Sequence, residues 1–332
     1  MRRFFSLLFL LGILVGAGAA AFVLLAPAGP SAETFFDITP GTSSSQVATH
    51  LKQQGFVRSR YVFLAMHLIR GGTIKAGEYR FDHPARMAEV YDRLRRGDVY
   101  TRSVTIPEGA NLFDIGARLE GAQLGTKAEF LTAAKANVSL IADLDPGAPS
   151  LEGYLFPDTY HFQRHTTAGE MLAVMVKRFR TSAAQIGLTG NYHHVVTVAS
   201  LVEKETPIDA ERPLVASVFE NRLTKEMPLM TDPSVIYAAL LEGRYRGTIY
   251  ESDLQADSAY NTYKHAGLPP GPVANPGLAS LKAAMHPAQT NYLYFVAAGA
   301  DPSGKSRFSE TLEGHAQDVQ AYRKAVREAG TQ

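Results

Sequence analysis

The feature that most constrains this chain lies at its start. From Phe4 to Leu25 the sequence runs 22 residues without a charge, directly after Arg2 and Arg3. As a helix such a run rises about 33 Å, enough to cross a hydrocarbon core of roughly 30 Å. It has no polar face, so the surface of a water-soluble fold would not accommodate it. The expectation is a single-pass anchor over residues 1–25, with both arginines on the cytoplasmic side and everything after Leu25 outside the cytoplasm. A cleaved signal peptide is the rival, because Ala17-Gly18-Ala19-Ala20 and Pro27-Ala28-Gly29 supply small residues near the end of the run. The apolar part of a signal usually spans only about 7–15 residues, shorter than this one.

The remaining chain has globular composition. Of 332 residues, 45% are hydrophobic and 20% charged, so a packed core is expected rather than disorder. A net charge of +1 provides no field for holding a polyanion, which argues against nucleic acid as a partner. The absence of cysteine excludes disulfides, thiolate nucleophiles and Cys-ligated metals, and suits an exported protein. His193 and His194 are adjacent, without the i, i+4 spacing of a helical zinc site, and there is neither a Gly-x-Ser-x-Gly elbow nor a phosphate-binding glycine loop. No metal or cofactor is expected.

Residues 26–34, rich in Pro, Gly and Ala, read as a linker. Two segments that resemble each other follow. Ile38-Thr-Pro-Gly41 leads to Val47-Ala48 and Leu51; Ile106-Pro-Glu-Gly109 leads to Ile115-Gly116 and Leu119. Each reads as a short strand, a glycine turn and an amphipathic helix, with Ser43–Ser45 or Asn111 and Asp114 starting the helix. The pattern is similar to LysM modules, which bind N-acetylglucosamine-containing glycans, although any strand–helix unit opens with much the same elements. Residues 61–68 and 88–94 read as helices and Lys75–Phe81 as a strand. The Asp145-Pro-Gly-Ala-Pro149 cluster is the expected domain boundary, giving a region with an internal duplication over 35–149 and a larger domain over 150–332. In the latter, helices are expected near 168–184, 193–205, 212–223 and 315–329, with a strand at Tyr292–Val296.

The chemistry points to one helix end. Val195 to Val202 is an apolar run, and charge arrives abruptly with Glu203-Lys204-Glu205 before Pro207 stops the helix. Burial and the negative end of the helix dipole both favour a protonated carboxyl there. An acid held protonated near neutral pH is what cleavage of a glycosidic bond needs. The bland alternative is a solvated helix end whose glutamates pair with Lys204 or Arg212. Two positions apart, Glu203 and Glu205 point to different faces, and helix phase alone does not choose between them.

A resemblance narrows the choice. Ser200-Leu-Val-Glu-Lys-Glu205-Thr206 is similar to the motif of lytic transglycosylases with a lysozyme-like fold, in which the last Glu is the acid. Tyr154–Tyr160, Val215–Leu223, Leu229–Tyr237, Ala259–Tyr263, Gly267–Pro272, Asn275–Gly277, Leu281–Pro287 and Tyr292–Val296 together resemble the MltG (YceG-like) endolytic transglycosylase family over roughly residues 150–320. The anchor and the LysM-like region match the same layout. The resemblance implies an α+β fold: a transmembrane helix, a small LysM-like α/β domain, and a mostly helical catalytic domain with a lysozyme-like catalytic helix and accessory strands. It implies Glu205 as the acid, with Glu203 as fallback. Asp158, Asn221, Arg222, Thr231, Asp232, Tyr260, Asn261, Thr262 and Tyr263 become candidate substrate contacts, each of which could instead be a cap, turn or packing residue. Met230 departs from the pattern, since Gln is expected before Thr-Asp-Pro, and this puts a polar contact there in doubt.

The implied enzyme sits in the bacterial inner membrane with its catalytic domain in the periplasm. It cuts peptidoglycan glycan strands at MurNAc-β-1,4-GlcNAc bonds, near peptidoglycan synthases. Two other functions stay open: a hydrolase using Glu205 with a second carboxylate such as Asp232, and an anchored glycan-binding scaffold without catalysis.

Overall fold

The computed structural model describes residues 2–301 and 304–329. It is a mixed helix-and-strand fold with one N-terminal helix, α1 (Arg2–Leu25). Leu7–Leu25 is long and apolar enough to cross a membrane, and no residue of it is fully buried within the protein. The chain divides into two compact units, 1–102 and 103–332.

In the first unit, α1 is followed by β1 (Thr34–Ile38), α2 (Ser44–Gln53), α3 (Arg60–Arg70), β2 (Gly77–Phe81) and α4 (Met87–Arg96). β1 and β2 pair antiparallel, from Thr34 opposite Phe81 to Ile38 opposite Gly77. Phe36, Leu51, Phe56, Phe63, Tyr79 and Tyr91 are fully buried between the strands and helices. The end of α1 belongs to this unit. Val23 and Leu24 pack against its core, and the Arg58 guanidinium lies 4.6 Å from the Phe22 ring while donating to Pro27 O.

The second unit opens with the same order: β3 (Arg102–Thr105), α5 (Leu112–Gly121), α6 (Lys127–Ala136) and β4 (Thr159–Phe162), with β3 beside β4. The duplication goes deeper than the sequence pattern. Ser43 and Asn111, 68 positions apart, each close a reciprocal capping box, with Gln46 and Asp114 as the answering side chains. Gly41 and Gly109, also 68 apart, both turn the chain at positive φ. Ser59 and Thr126 then cap the second helix of each copy.

The copies diverge after that helix. Six residues (71–76) join α3 to β2, but 22 (137–158) join α6 to β4. The longer connection holds a 3₁₀ turn (Val138–Ile141) and the buried residues Leu151, Glu152, Tyr154 and Leu155. The Asp145–Pro149 cluster, read from sequence as a domain boundary, lies inside this connection. The second copy shares one hydrophobic core with the helices that follow it, so the compact units divide at 102/103 instead.

Those helices are α7 (Ala168–Gln185), α8 (Tyr192–Glu205), α9 (Arg212–Thr224), α10 (Asp232–Leu241), the short α11 (Glu251–Leu254) and α12 (Leu278–Met285). β5 (Tyr294–Ala297) pairs antiparallel with β6 (Ser306–Ser309), and α13 (Leu312–Ala329) closes the chain. α8 is the central helix, with every residue from Val196 to Val202 buried against α9, α10 and α12. Gly153 allows a loop to press on it: a Cβ there would meet Val196 Cγ1 at 2.7 Å and Pro272 at 2.6 Å.

Candidate active site

α8 ends where its sequence changes character. Thr206 is already extended, its N–H reaching back to Val202 O at 3.3 Å, and Pro207 prevents continuation. The three last residues of the helix then go separate ways. Glu203 turns into the protein, where its side chain is 6% exposed. Its Oε2 lies 2.7 Å from Arg212 Nη1 and accepts the Gly277 N–H at 2.9 Å. Arg212 is equally enclosed; it also donates to Ser280 Oγ, and Asp209 lies 3.1 Å from its Nε. Lys204 Nζ donates to Gly109 O at 3.3 Å.

Glu205 enters a cleft with a volume of about 410 Å³. Arg222 from α9, Thr231 and Asp232 at the start of α10, Tyr263 from the loop before α12, Tyr294 from β5 and His315 from α13 line it with Glu205. Phe219, Leu229, Met230, Phe295 and Leu312 add apolar surface. Loss of water pushes the Glu205 carboxyl up to about 7, and the negative charge of Asp232 adds to the rise. The Thr231 hydroxyl and the Arg222 charge pull the other way without cancelling it. A larger cleft, about 520 Å³, opens beside Glu108, Arg118 and Lys204, but Glu205 does not line it.

The walls are braced by hydrogen bonds. Arg222 donates from Nε to Leu293 O and from Nη1 to Leu229 O, both at 2.7 Å, and its guanidinium stands 5.3 Å from the Tyr294 ring. Tyr263 donates its hydroxyl to Asp232 Oδ1 at 2.6 Å. Met230 holds φ +51°, a conformation an unbranched side chain adopts only under constraint, while its N–H donates to Thr262 O. The result is a protonatable carboxyl among aromatic rings and fixed polar groups, a combination suited to a sugar.

A family model for YceG-like proteins matches residues 36–321. The chain belongs to the YceG-like family. It is 34% identical over 323 residues to an endolytic murein transglycosylase of Bacillus subtilis, covering 90% of this chain and 88% of that one. It is 32% identical to an endolytic murein transglycosylase of Streptococcus pneumoniae, over 85% of this chain but only 57% of the relative, which is a longer protein. The crystal structure of a YceG-like protein from Listeria monocytogenes matches 87% of this chain and 99% of its own, with a TM-score of 0.55 and 32% identity.

Of the contacts expected from sequence, this YceG-like chain brings Glu205, Arg222, Thr231, Asp232 and Tyr263 to one cleft. The other candidates do not line it. Glu203 is held in its buried ion pair. Asp158 pairs with Arg178 at 2.6 Å. Asn221 Nδ2 donates to the carbonyls of Thr290 and Tyr292, both at 2.9 Å. Tyr260 packs edge-on against Tyr237, 5.1 Å between centroids. Asn261 is fully buried and donates to Ala256 O at 2.8 Å. Thr262 Oγ1 accepts the Thr231 N–H at 3.0 Å and thus shapes the wall without lining it.

Sequence reasoning missed Tyr294, Phe295, Leu312 and His315. Tyr294 and Phe295 were legible as strand and His315 as helix, but nothing local to either segment points at Glu205. Met230 was flagged only as a departure; it is 52% exposed in the cleft.

Proposed function

We propose that this protein is an endolytic peptidoglycan lytic transglycosylase with Glu205 as its single acid and base. The observation that carries the reading is the contrast at the end of α8: Glu205 opens into a cleft with a carboxyl shifted to about 7, while Glu203 is neutralised by Arg212. The function of the Bacillus and pneumococcal relatives supports it.

Protonated Glu205 delivers its proton to the oxygen of a MurNAc-β-1,4-GlcNAc bond, and positive charge develops on the MurNAc ring as that bond breaks. The Glu205 carboxylate then takes the proton of the same sugar's 6-hydroxyl, whose oxygen attacks C1. A 1,6-anhydro end forms and Glu205 is protonated again. One residue serves both steps, so no second carboxylate nucleophile is needed. Asp232 raises the affinity of Glu205 for its proton, and Tyr263 orients Asp232.

The setting follows from the anchor. α1 holds the chain in the bacterial inner membrane with the N-terminus cytoplasmic and everything after Leu25 in the periplasm. The first unit, with two helices between paired strands, serves as a LysM-like glycan-binding module. Cutting then falls on nascent strands near peptidoglycan synthases and terminates their elongation.

The test is digestion of uncrosslinked nascent peptidoglycan by the full chain in detergent, with products identified by mass spectrometry. Anhydro-MurNAc ends that vanish with Glu205→Gln and persist with Glu203→Gln are expected. Reducing ends would make the protein a hydrolase, and no cleavage by wild type would make it a binding scaffold.

A further inference from the structure

Between two buried neighbours, Leu229 and Thr231, Met230 is 52% exposed and lines the cleft that holds Glu205. Its N–H is engaged by Thr262 O at 3.1 Å, so what it presents to the cleft is mainly its side chain. A methionine exposed on a protein surface is ordinary by itself. This one also holds its backbone at φ +51°. The other non-glycine residues at positive φ among those described are Gln123, Asn191 and Glu226, all polar. Glycine would take this conformation without strain, and an apolar side chain left in water gains nothing from burial.

The conformation is imposed from both sides. Arg222 Nη1 donates to Leu229 O at 2.7 Å. Thr262 accepts the Met230 N–H on its carbonyl and the Thr231 N–H on its hydroxyl, the latter at 3.0 Å, and Ser234 Oγ lies 2.8 Å from that hydroxyl. Leu229 and Thr231 are thereby set inward and Met230 outward on a braced mount. A strained backbone held this firmly beside a catalytic carboxyl points to a contact made there.

The neighbours define the contact. The rings of Tyr263, Tyr294 and Phe295 and the side chain of Leu312 line the same cleft. A sugar with an acetamido group offers two apolar surfaces, the C–H face of its ring and the acetamido methyl. Flat aromatic rings match the first. An unbranched, flexible thioether matches the second, because it can close around a small group. Thr231 and Asp232 follow Met230 directly and share the cleft with Glu205, so the contact falls on a sugar bound beside the acid.

We propose that Met230 is a specificity-determining residue of the Glu205 cleft, its side chain covering the acetamido methyl of a sugar in the bound strand. This rests on the functional reading above. The cleft then distinguishes N-acetylated strands from de-N-acetylated ones, whose ammonium group would have to give up water beside a thioether. Met230 takes no part in proton transfer at the scissile bond.

Met230→Gly removes the side chain and suits the backbone, so its melting temperature should not fall. For the full chain in detergent acting on uncrosslinked, N-acetylated GlcNAc–MurNAc strands, Met230→Gly should raise KM about fivefold and leave kcat within about twofold, as the loss of roughly one methyl contact predicts. Met230→Leu should recover most of the loss. Adding Met230→Gly to Glu205→Gln should weaken binding about fivefold for N-acetylated strands and less than about twofold for de-N-acetylated strands. With ¹³C-labelled methionine methyls, the Met230 resonance of Glu205→Gln, assigned by its loss in Met230→Leu, should move when N-acetylated strands are added. An unchanged KM in Met230→Gly, equal weakening for both kinds of strand, or an unmoved resonance under saturating strands would overturn the proposal. A fall in kcat alone would make Met230 a brace of the wall and overturn it too. Should wild type fail to cleave, the functional reading falls, yet the binding and ¹³C measurements still decide whether Met230 touches an acetamido group.

Discussion

Glu203 and Glu205 are separated by one residue, and the protein treats them in opposite ways. On the inward side of the last α8 turn, Glu203 meets Arg212, the Gly277 N–H and, through Arg212, Ser280; every charge there has a partner. On the cleft side, Glu205 meets a hydroxyl, a second carboxylate and a cation already braced elsewhere, and its proton affinity rises. The lesson is that a carboxyl becomes an acid through what is withheld from it. Both glutamates have left bulk water, and the one without a neutralising partner is shifted toward neutrality. The Glu203 pair in turn ties α8 to α9 and to the start of α12, holding the turn from which Glu205 projects.

The largest test of this comparison is the acid itself. Glu205→Gln should reduce formation of anhydro ends by at least about a thousandfold, at the upper side of what general acid–base catalysis contributes, with no loss of fold. Glu203→Gln should do the reverse. It leaves Arg212 buried with the exposed Asp209, Ser280 and the charge of Glu108 as its remaining neighbours, so stability should fall by about 3 kcal/mol, at the low end for breaking a buried pair. Turnover per folded molecule, normalised by circular dichroism at low temperature, should stay within a few fold of wild type. A thousandfold loss in the Glu203 variant with an intact melting curve would exchange the two roles.

The shift of Glu205 has a sign that stability must follow. Its folded-state value of about 7 lies above the ordinary 4.5, so between those values the folded state holds the extra proton. Stability then falls as pH rises from about 4.5 to about 7, and is flat above. Glu205→Gln removes that penalty, and should stabilise the protein by on the order of 1–3 kcal/mol at pH 8 and by nothing at pH 4. Glu203→Gln should instead destabilise at pH 8, because it breaks the buried pair with Arg212. Glu152, fully buried and pushed up to about 8 by burial, adds a decline of the same sign that both variants keep. Denaturant midpoints at the two pH values separate the glutamates without any substrate.

How much of this was legible in the sequence follows from how local each signal is. The apolar run, the two glycine turns and the charged end of α8 are features of contiguous residues, and each is realised in the structure. The two helix starts are legible for the same reason, because a capping box needs only four residues. The boundary was misplaced because Asp145–Pro149 looks like a linker locally. Only the burial of Leu151 to Leu155 reveals an insertion packed into the common core. The choice between Glu203 and Glu205 was illegible from helix phase because it depends on Arg212, nine residues on, and on Gly277, 74 residues beyond Glu203. Asn221 and Asn261 looked like sugar ligands because an amide suits a sugar, yet it suits backbone carbonyls equally well, and that is where both donate. His315 carried no local sign at all, since its place in the cleft is set by β5, β6 and the helix they support.

The smallest predicted effects are the most specific, because they are a pair of opposite sign. If protonated Glu205 limits the reaction, the alkaline limb of kcat/KM reports its proton affinity in the free enzyme. Thr231 lowers that affinity and Asp232 raises it. Thr231→Val should therefore move the limb to higher pH and Asp232→Asn to lower pH, whatever either does to the plateau rate. Glu203→Gln should move it in neither direction, since Glu203 faces away from the cleft. Measuring the limb and the plateau together also separates the two reactions that Asp232 could support. As an electrostatic neighbour it changes mainly the limb. As a base activating water it would be indispensable, and Asp232→Asn would remove the plateau altogether. Two opposite displacements with a surviving plateau would make the electrostatic surroundings of Glu205, and not its helix position alone, the origin of its acidity.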